Sequence, residues 1–334
     1  MADLACRRLA VSLVVHHWCE SELYPAVETL GKSLSAAREQ GVLDEAALFV
    51  VYNGEPPLDS EGLSRELARF FPFPVEVLPA QANGGYGKAN NLLLESIARQ
   101  SFDAALVMNP DVVVAEQALP RMLWRLSGDP SCGLVVPRLL NPETGRDVYG
   151  CKRYPSVAVL AVRQFRLLQR VPALLRLNAR YEYRDRRPEW EHRGVELCSG
   201  CFMLARMRFW QDLGGFDTRY FMYFEDFDLS VRAAARGWVQ VYEPGAVVRH
   251  SGGGAARMRA APPPEWRTTA PGSYTCTQPR AAARTERSKS SKYMKYRVSK
   301  PPRSCQNLIR ASMKHPLHNS TPRCSHSGRL SRYS

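Results

Sequence analysis

The first part of the chain alternates between short apolar runs and amphipathic segments. Four apolar runs, each bounded by turn-forming residues, predict β-strands: Leu9–Val15, Ala47–Tyr52, Val75–Leu78 and Ala104–Met108. Three segments between them have helical periodicity and predict α-helices: Leu23–Arg38, Ser60–Phe70 and Lys88–Gln100. Strands and helices that alternate in this way are typical of an α/β fold with a mostly parallel central sheet flanked by helices.

The second half of the chain predicts a less regular order. Strands are predicted over Cys132–Pro137, Glu196–Ala205 and Val239–Val248, and a helix over Phe227–Arg236. Between the first two of these strands, Val157–Leu177 places its leucines on one helical face and three arginines on another.

Two interpretations of the segment Val157–Leu177 remain open. It can be a helix packed on its own domain, or a basic amphipathic helix that lies on an anionic membrane surface. Pro172 falls inside the segment. We expect it to kink or divide the helix, because proline lacks the N–H group and its ring clashes with the preceding turn.

Charge is distributed unevenly along the chain. The formal net charge is +14, but residues 256–334 contain 17 basic and two acidic residues, whereas residues 1–255 carry a net charge of −1. A near-neutral body gives no electrostatic surface for nucleic acid, so no specific nucleic-acid partner is expected for it. The basic segment is rich in Pro, Arg and Ser, and we expect it to be disordered. The abrupt change of composition near Gly254 favours a shifted reading frame or a divergent end.

The cysteines and the apolar stretches indicate the cellular compartment in which the protein is expected. The nine cysteines follow no even framework, so we expect free thiols in a reducing compartment. The apolar run after Arg8 ends at His16 without a cleavage site of small residues, which predicts a strand rather than a signal peptide. No stretch reaches the ~18 apolar residues that a membrane span requires. The body is therefore expected to be cytoplasmic, and peripheral contact with the inner face of a membrane stays open.

Residues that suit phosphate chemistry follow the predicted strands. Asn109-Pro110-Asp111 comes directly after Ala104–Met108, and a glycine loop, Asn83–Gly87, precedes a helix. Glycines allow the backbone to approach a ligand closely, and the amides at a helix N-terminus bind phosphate. In open α/β sheets, ligands collect outside the carboxyl ends of the strands, where both motifs fall. The loop matches neither a P-loop nor the dinucleotide-binding spacing.

A third motif lies near the end of the body. Gly214-Gly215-Phe216-Asp217 is followed by the aromatic run Tyr220–Phe224 and by the adjacent acids Glu225 and Asp226. Acidic residues at a helix start are usually caps that favour the helix dipole. Here they follow aromatic residues that are expected to wall a pocket, so one of the acids is a candidate general base.

Along the chain the order is the glycine loop, Asn-Pro-Asp, Gly-Gly-Phe-Asp, the Glu-Asp pair and finally His250. In this order the motifs resemble glycosyltransferase family 2 over about residues 9–254, and specifically its rhamnosyltransferase-like branch. The resemblance implies the GT-A fold of nucleotide-diphospho-sugar transferases. It implies a nucleotide-sugar-binding half over 1–120 and an acceptor-binding and catalytic half over 121–255, with the basic tail over 256–334. It also implies that a sugar, with rhamnose as one candidate, moves from a nucleotide diphosphate to a glycan or lipid-linked saccharide. The transfer would invert the anomeric carbon and serve the synthesis of a cell-surface polysaccharide.

The resemblance assigns roles to individual residues. Asp226 matches the second acid of the family's Glu-Asp pair and is expected to be the general base, with Glu225 beside it. Asp111 is expected to hold Mg²⁺ or Mn²⁺ on the diphosphate, and His250 to close on the metal or the phosphates. The residues expected to bind the donor are Tyr52, Asn53, Asn83, Gly84, Gly85, Gly87, Lys88, Asn91 and Asn109.

Two features stand apart from the family pattern. Many members carry an acidic residue after the second strand to bind the base, whereas this chain has Tyr52 before Asn53 and Gly54. Both a dTDP-sugar and a UDP-sugar are therefore candidate donors. Cys198 and Cys201 have a zinc-like spacing but no second pair, so no zinc site is expected there.

Two other classes of function remain open. The chain can be an inactive or truncated relative, because family members normally continue past the final histidine into ordered helices. It can also bind nucleic acid or an anionic surface through the basic tail, whose tyrosines could stack on bases. Removal of residues 256–334 should abolish such binding and leave any transferase activity unchanged.

Overall fold

The computed structural model describes residues 6–56, 58–165, 168, 171–186, 189 and 194–250, and the backbone alone of 192–193, 268–270 and 273–274. All of these residues belong to one compact unit, Met1–Gln278. The predicted disorder of the basic tail concerns residues that lie outside this part of the chain, apart from one short strand pair, Thr268–Ala270 with Ser273–Tyr274.

The described body contains strands and helices in the alternating order that the sequence predicts. Its strands are β1 (Arg8–Val15), β2 (Glu45–Asn53), β3 (Val75–Gln81), β4 (Ala104–Met108), β5 (Val112–Val114), β6 (Cys132–Leu140), β7 (Cys151–Lys152), β8 (His192–Arg193), β9 (Leu197–Cys198), β10 (Phe202–Arg206) and β11 (Val239–His250). Its helices are α1 (Glu20–Glu39), α2 (Ser60–Ala68), α3 (Tyr86–Ala98), α4 (Ala118–Ser127), α5 (Val157–Gln164), α6 (Pro172–Tyr181), α7 (Met207–Leu213) and α8 (Glu225–Ala235). None of these helices is both long enough and apolar enough to cross a bilayer.

Most of the strands join one mixed sheet. Among the described residues its order is β3-β2-β1-β4-β10-β6-β11-β5, and β8 also pairs with β11. The first four strands are mutually parallel, whereas β10 runs antiparallel to β4 and β6. The carboxyl ends of β2, β3 and β4 therefore lie along one edge, and the predicted donor-binding residues are at these ends or in the segments that follow them.

Each face of the sheet buries its own apolar core. Leu9, Val11 and Leu13 of β1 join one core, and the alternate residues Ala10 and Val14 join the other, as the twofold period of a strand requires. Helices α1, α2 and α4 cover the first core, and α3, α7 and α8 cover the second. The predicted α/β fold with a helix-flanked sheet is confirmed.

Several predicted boundaries need correction. The single strand over Glu196–Ala205 is wrong, because β9 pairs with β7 whereas β10 pairs with β4 and β6, and a turn at Ser199–Cys201 separates them. Helices α3 and α8 each begin two residues before the predicted start. Helix α4 was not predicted, although its buried residues recur at helical spacing, and neither was the short helix α7.

The segment Val157–Leu177 is divided, as Pro172 predicts. Helix α5 ends at Gln164, and α6 begins at Pro172, the first-turn position that proline tolerates. Packing on its own domain covers only part of the segment, because Val159 and Val162 are buried whereas part of the leucine face is exposed. Leu160 and Leu175 are 54% and 47% exposed, respectively.

Candidate active site

Strand register brings Asp111 and His250 together from distant positions in the sequence. Asp111 lies in the turn between β4 and β5, and His250 is the last residue of β11. Because His250 pairs with Val112 across β11 and β5, it lies beside the residue that precedes Val112. The His250 Nε2 is 3.3 Å from the Asp111 Oδ1, and the side chains are 13% and 11% exposed. The Asn109 side-chain nitrogen lies 3.4 Å from the same Nε2.

The contact between Asp111 and His250 is an ion pair at neutral pH. Burial alone lowers the pKa of His250, but hydrogen bonds with Asp111 and Cys201 outweigh it and raise the pKa to about 10. Burial raises the pKa of Asp111, but the hydrogen bond and the charge of His250 bring it below its ordinary value. A cation that bound here would displace the imidazole proton, because a histidine ligand must be neutral.

The chemistry of this pair fits a divalent cation that is shared with a substrate. Among the described residues, no group of three or more His, Cys, Asp or Glu side chains could hold a metal ion. A carboxylate with an imidazole is sufficient where phosphate oxygens supply further ligands, as is usual for Mg²⁺ bound to nucleotides. Asp111 and His250 therefore fit their predicted role only together with the diphosphate.

Asp226 lies in the first turn of α8, where two backbone amides hold its carboxylate. The N–H of Gly200 donates to Oδ2 at 2.9 Å, and the N–H of Phe227 donates to Oδ1 at 2.9 Å. Burial raises the pKa of Asp226, and these hydrogen bonds oppose the rise without cancelling it. A fixed carboxylate with a raised pKa is suited to proton abstraction.

The turn Gly200-Cys201 links Asp226 to the Asp111–His250 pair. The Gly200 N–H holds Asp226, while the Cys201 carbonyl accepts a 2.9 Å hydrogen bond from the N–H of Asn109. The Tyr86 hydroxyl of α3 donates to the Gly200 carbonyl at 2.8 Å. A Cβ on Gly200 would lie 3.2 Å from the Asp226 Cβ, so the turn passes close beneath the acid. The sequence did not predict that Gly200 holds the general base. The only signal for it was the pair of small residues between Cys198 and Cys201.

Glu225 is buried beside Asp226 with an unpartnered oxygen. The side chain is 6% exposed, and its Oε2 has no hydrogen-bond partner among the described residues. Burial raises its pKa to about 7, backbone hydrogen bonding opposes the rise, and the charge of Asp226 adds to it. The two adjacent acids therefore differ, because Asp226 is anchored by amides and Glu225 is not.

We expect Glu225→Gln to become more stable than the wild type as the pH rises. The raised pKa means that the folded protein holds a proton which the unfolded chain releases near pH 4.5, so the wild type loses stability between that pH and about 7. The difference in the free energy of unfolding should grow by about 2 to 3 kcal/mol from pH 5 to pH 8. Urea unfolding at both pH values measures it, and Glu61→Gln, at an 80% exposed side chain, should show no such change. An equal difference at both pH values would contradict the assignment.

The aromatic run before the acids has strained backbone and exposed rings. Tyr223 and Phe224 have φ angles of 69° and 72°, the left-handed region that bulky residues rarely enter. Such strain costs about 1 to 3 kcal/mol per residue and is concentrated at functional sites. Phe221, Tyr223 and Phe224 are 53%, 61% and 64% exposed, respectively. Three exposed rings therefore come directly before the acids in sequence.

Asn53 fixes the glycine loop at the carboxyl end of β2. Its side-chain nitrogen donates to the Asn83 Oδ1 at 3.1 Å and to the Gly85 carbonyl at 3.3 Å. Its oxygen accepts from the Gly84 N–H at 3.2 Å. Asn53 is 4% exposed, so its side chain shapes the loop, and its contact with a donor stays a prediction.

The backbone of Gly85 lies against the aromatic run. Its φ is +93°, and a Cβ there would lie 2.2 Å from the carbonyl oxygen of Phe221, which accepts a 3.1 Å hydrogen bond from the N–H of Tyr86. Only glycine fits this position. The glycine loop and the strained loop before Glu225 therefore hold each other in place.

Gly85→Ala is expected to destabilise the fold by about 2 to 4 kcal/mol, since it adds a backbone clash to the cost of a positive φ. Gly145→Ala is the matched control, because Gly145 also has a positive φ (+64°) but nothing within 4 Å of the added Cβ. That variant should lose only about 1 kcal/mol. Chemical denaturation of both compares them, and equal losses would mean that the contact with Phe221 is not rigid.

The remaining predicted donor residues fall into two groups. Gly87 is buried in α3 and Lys88 is exposed on the first turn of that helix, with its stem beside Gly84. Tyr52 is 5% exposed and packs in the core. The Asn91 side chain donates to the Phe216 carbonyl and accepts from its N–H, both at 2.8 Å. Tyr52 and Asn91 thus have partners within the protein, and their contact with a donor stays a prediction.

A cavity of about 500 Å³ lies away from all these residues. It is bounded by α1 and the segment after α2, and its lining includes Lys32, Glu39, Arg69 and Phe71. None of the predicted site residues lines it. We place the chemistry at the acids instead, because no buried side-chain oxygen that lacks a partner among the described residues lines the cavity.

The order of the sheet, with carboxylates near the carboxyl ends of its parallel strands, agrees with the GT-A fold. A family model described as glycosyltransferase-like family 2 matches residues 11–267, and the chain therefore belongs to glycosyltransferase family 2. Two curated relatives, from the CDC 1551 and H37Rv strains of Mycobacterium tuberculosis, are named N-acetylglucosaminyl-diphospho-decaprenol L-rhamnosyltransferase. Each is 31% identical over 240 residues, which cover 68% of this chain and 72% of the relative.

Two solved structures of glycosyltransferases are similar to this chain. The crystal structure of GalNAc-T7 with UDP, GalNAc and Mn²⁺ has a TM-score of 0.50 and 15% identity, and the match covers 73% of this chain and 43% of GalNAc-T7. The mannosyltransferase PcManGT from Pyrobaculum calidifontis, in complex with GDP-Man and Mn²⁺, has a TM-score of 0.47 and 16% identity, with coverage of 77% and 62%. At such identity the likeness to GalNAc-T7 concerns the fold alone.

Proposed function

We propose that the protein is an inverting glycosyltransferase that uses a nucleotide diphosphate sugar, with L-rhamnose as the first candidate sugar. The acceptor is a hydroxyl of a glycan or lipid-linked saccharide, in the synthesis of a cell-surface polysaccharide. The observation that carries the proposal is the link from Asp226 through Gly200-Cys201 to Asp111 and His250. The name of the curated relatives supports both the sugar and the lipid-linked acceptor.

Asp226 is the proposed general base. Its carboxylate takes the proton from the acceptor hydroxyl while that oxygen attacks the anomeric carbon of the donor. The bond between this carbon and the diphosphate oxygen breaks as the new glycosidic bond forms, and the nucleoside diphosphate leaves. Attack from the face opposite the leaving group inverts the anomeric carbon. The amides of Gly200 and Phe227 keep the carboxylate in one orientation throughout.

Asp111 and His250 are the proposed ligands of Mg²⁺ or Mn²⁺. The cation, when bound, neutralises the charge that develops on the departing diphosphate. The glycine loop, Lys88 on the first turn of α3, and Asn109 are proposed to hold the donor, since helix N-termini and cations stabilise phosphate. The Mn²⁺ in the structure of GalNAc-T7 is consistent with this arrangement.

The exposed rings of Phe221, Tyr223 and Phe224 are proposed to contact the acceptor. They lie next to Glu225 and Asp226 in sequence, and their apolar faces suit a sugar ring or an isoprenoid chain. We also propose that the enzyme is cytoplasmic and lies at the inner face of a membrane. At that face it would meet a lipid-linked acceptor.

Protection from thermal unfolding tests the donor. The purified protein is heated with dTDP-rhamnose, UDP-sugars and GDP-mannose, each with and without Mn²⁺. The melting temperature should rise most with dTDP-rhamnose or a UDP-sugar, and only when Mn²⁺ is present, because ligands that bind only the folded state stabilise it. The absence of any shift with all of these donors would contradict the proposal.

A further inference from the structure

The hairpin formed by α5 and α6 stands outside both apolar cores. Of the two helices, only Val159, Val162 and Tyr181 are buried, and none of these three belongs to either core. Five large apolar side chains along the hairpin are instead 43% to 67% exposed: Val157, Leu160, Phe165, Val171 and Leu175. A cluster of exposed apolar side chains marks an interaction surface.

The same hairpin is strongly basic. Between Val157 and Tyr181 the sequence contains five arginines and no Asp, Glu or Lys. Arg163 pairs with Glu182 at 2.9 Å, whereas Arg176 and Arg180 are exposed on α6. Exposed apolar side chains and exposed arginines therefore occur together on this hairpin.

We infer that the α5–α6 hairpin docks on a bilayer that contains anionic lipid. Its apolar side chains would enter the boundary between headgroups and acyl chains, and its arginines would meet the lipid phosphates. The stems of the arginines can lie along the apolar surface while their charged ends reach the headgroups.

The positive charge of the hairpin disfavours two other candidate occupants of this surface, a second copy of the chain and the basic segment 256–334. A second copy docked through the same hairpin would bring the exposed Arg176 and Arg180 of both copies together, and α5 and α6 contain no acidic residue to pair with them. The basic segment 256–334, with 17 basic and two acidic residues, would be repelled as well. An anionic lipid surface is the occupant that complements both the charge and the apolar side chains.

The hairpin ends close to the proposed general base. Tyr181, the last residue of α6, is buried, and its carbonyl accepts a 2.8 Å hydrogen bond from the N–H of Arg153, which follows β7. Strand β7 pairs with β9, and β9 leads into the turn whose Gly200 N–H holds Asp226. Docking would therefore hold the acids near the membrane surface, where the sugar of a lipid-linked acceptor lies. This link to the acceptor rests on the proposed function, whereas docking itself does not.

Vesicle binding of the full chain tests the inference without any donor or acceptor. The protein is sedimented with vesicles of phosphatidylcholine alone and with vesicles of phosphatidylcholine and phosphatidylglycerol in equal amounts. Binding should require phosphatidylglycerol. The double variant Leu160→Glu with Leu175→Glu should bind the mixed vesicles with an affinity lower by about tenfold or more. Trp124→Glu is the control, because Trp124 is 64% exposed on α4, and it should bind like the wild type.

A local measurement separates the hairpin from the basic tail, which also attracts anionic lipid. Hydrogen exchange with and without the mixed vesicles should slow at amides of α5 and α6. Arg176→Gln with Arg180→Gln, at exposed positions, should weaken binding to mixed vesicles and retain the wild-type melting temperature. Equal binding of the Glu variants and the wild type, or slowed exchange confined to residues 256–334, would overturn the inference. A second contrary result would be that the wild type forms a dimer but does not bind vesicles, and that the Glu variants dissociate the dimer. That result would assign the surface to a second copy.

Discussion

Asp226→Asn is expected to lower the rate of sugar transfer by about 10²-fold or more, with donor binding nearly unchanged. The amide is close in size to the carboxylate and its oxygen can still accept a backbone hydrogen bond, so the turn at Gly200 should stay in place. It cannot take the proton of the acceptor hydroxyl. The loss should therefore fall on the turnover number, measured with saturating donor and acceptor, and calorimetry should give an unchanged donor affinity.

Asp217→Asn is the control for Asp226→Asn. Asp217 is also acidic and lies in the same segment, but it pairs with Arg219 and is given no role in proton transfer. It should retain turnover within a few-fold of the wild type. If Asp226→Asn retained near wild-type turnover on the true acceptor, the general base would have to be another residue, and Glu225 with its unpartnered oxygen would be the first to test.

Asp111→Ala is expected to abolish the dependence of donor affinity on Mn²⁺. Removal of the carboxylate leaves His250 alone at the proposed site, and the diphosphate loses the cation that neutralises it. Loss of supporting groups at metal sites typically weakens metal binding on the order of 10- to 100-fold, and loss of a ligand should cost at least as much. Calorimetric titration of the nucleotide diphosphate with and without Mn²⁺ measures the effect.

Asp44→Ala is the matched control for Asp111→Ala. Asp44 forms an exposed ion pair with Arg7 at 2.7 Å, and pairs of this kind contribute little to stability. Its removal should leave the Mn²⁺ dependence intact. A wild-type gain in affinity on addition of Mn²⁺ to Asp111→Ala would move the cation to other ligands.

Local patterns predicted the parallel half of the fold well. Strands β1, β2 and β4 are almost wholly apolar, and the helices between them have a clear apolar face, so burial and periodicity agree there. Elements that depend on distant partners were harder to predict. Strand β5 is only three residues long and is defined by its pairing with β11, which lies more than a hundred residues later in the sequence.

In the site, too, local motifs identify individual residues, whereas the contacts between them depend on residues distant in sequence. The family motifs predicted Asp111, Asp226 and His250, and the structure adds the register of β11 that places the first and last of these side by side. The turn at Gly200-Cys201 could not be predicted as a link, because its role depends on hydrogen bonds to three separate elements. Tyr52 and Asn91 matched the pattern and have partners within the protein, and only packing reveals this.

Analysis of the transfer product tests the central claim most directly. The full chain is incubated with dTDP-L-rhamnose, Mn²⁺ and a lipid-linked N-acetylglucosaminyl diphosphate, and the product is examined by nuclear magnetic resonance. The account predicts a disaccharide whose new linkage is inverted relative to the donor, formed in step with released nucleoside diphosphate and lost in Asp226→Asn. A product that retains the anomeric configuration, or one that Asp226→Asn forms at the wild-type rate, would contradict it.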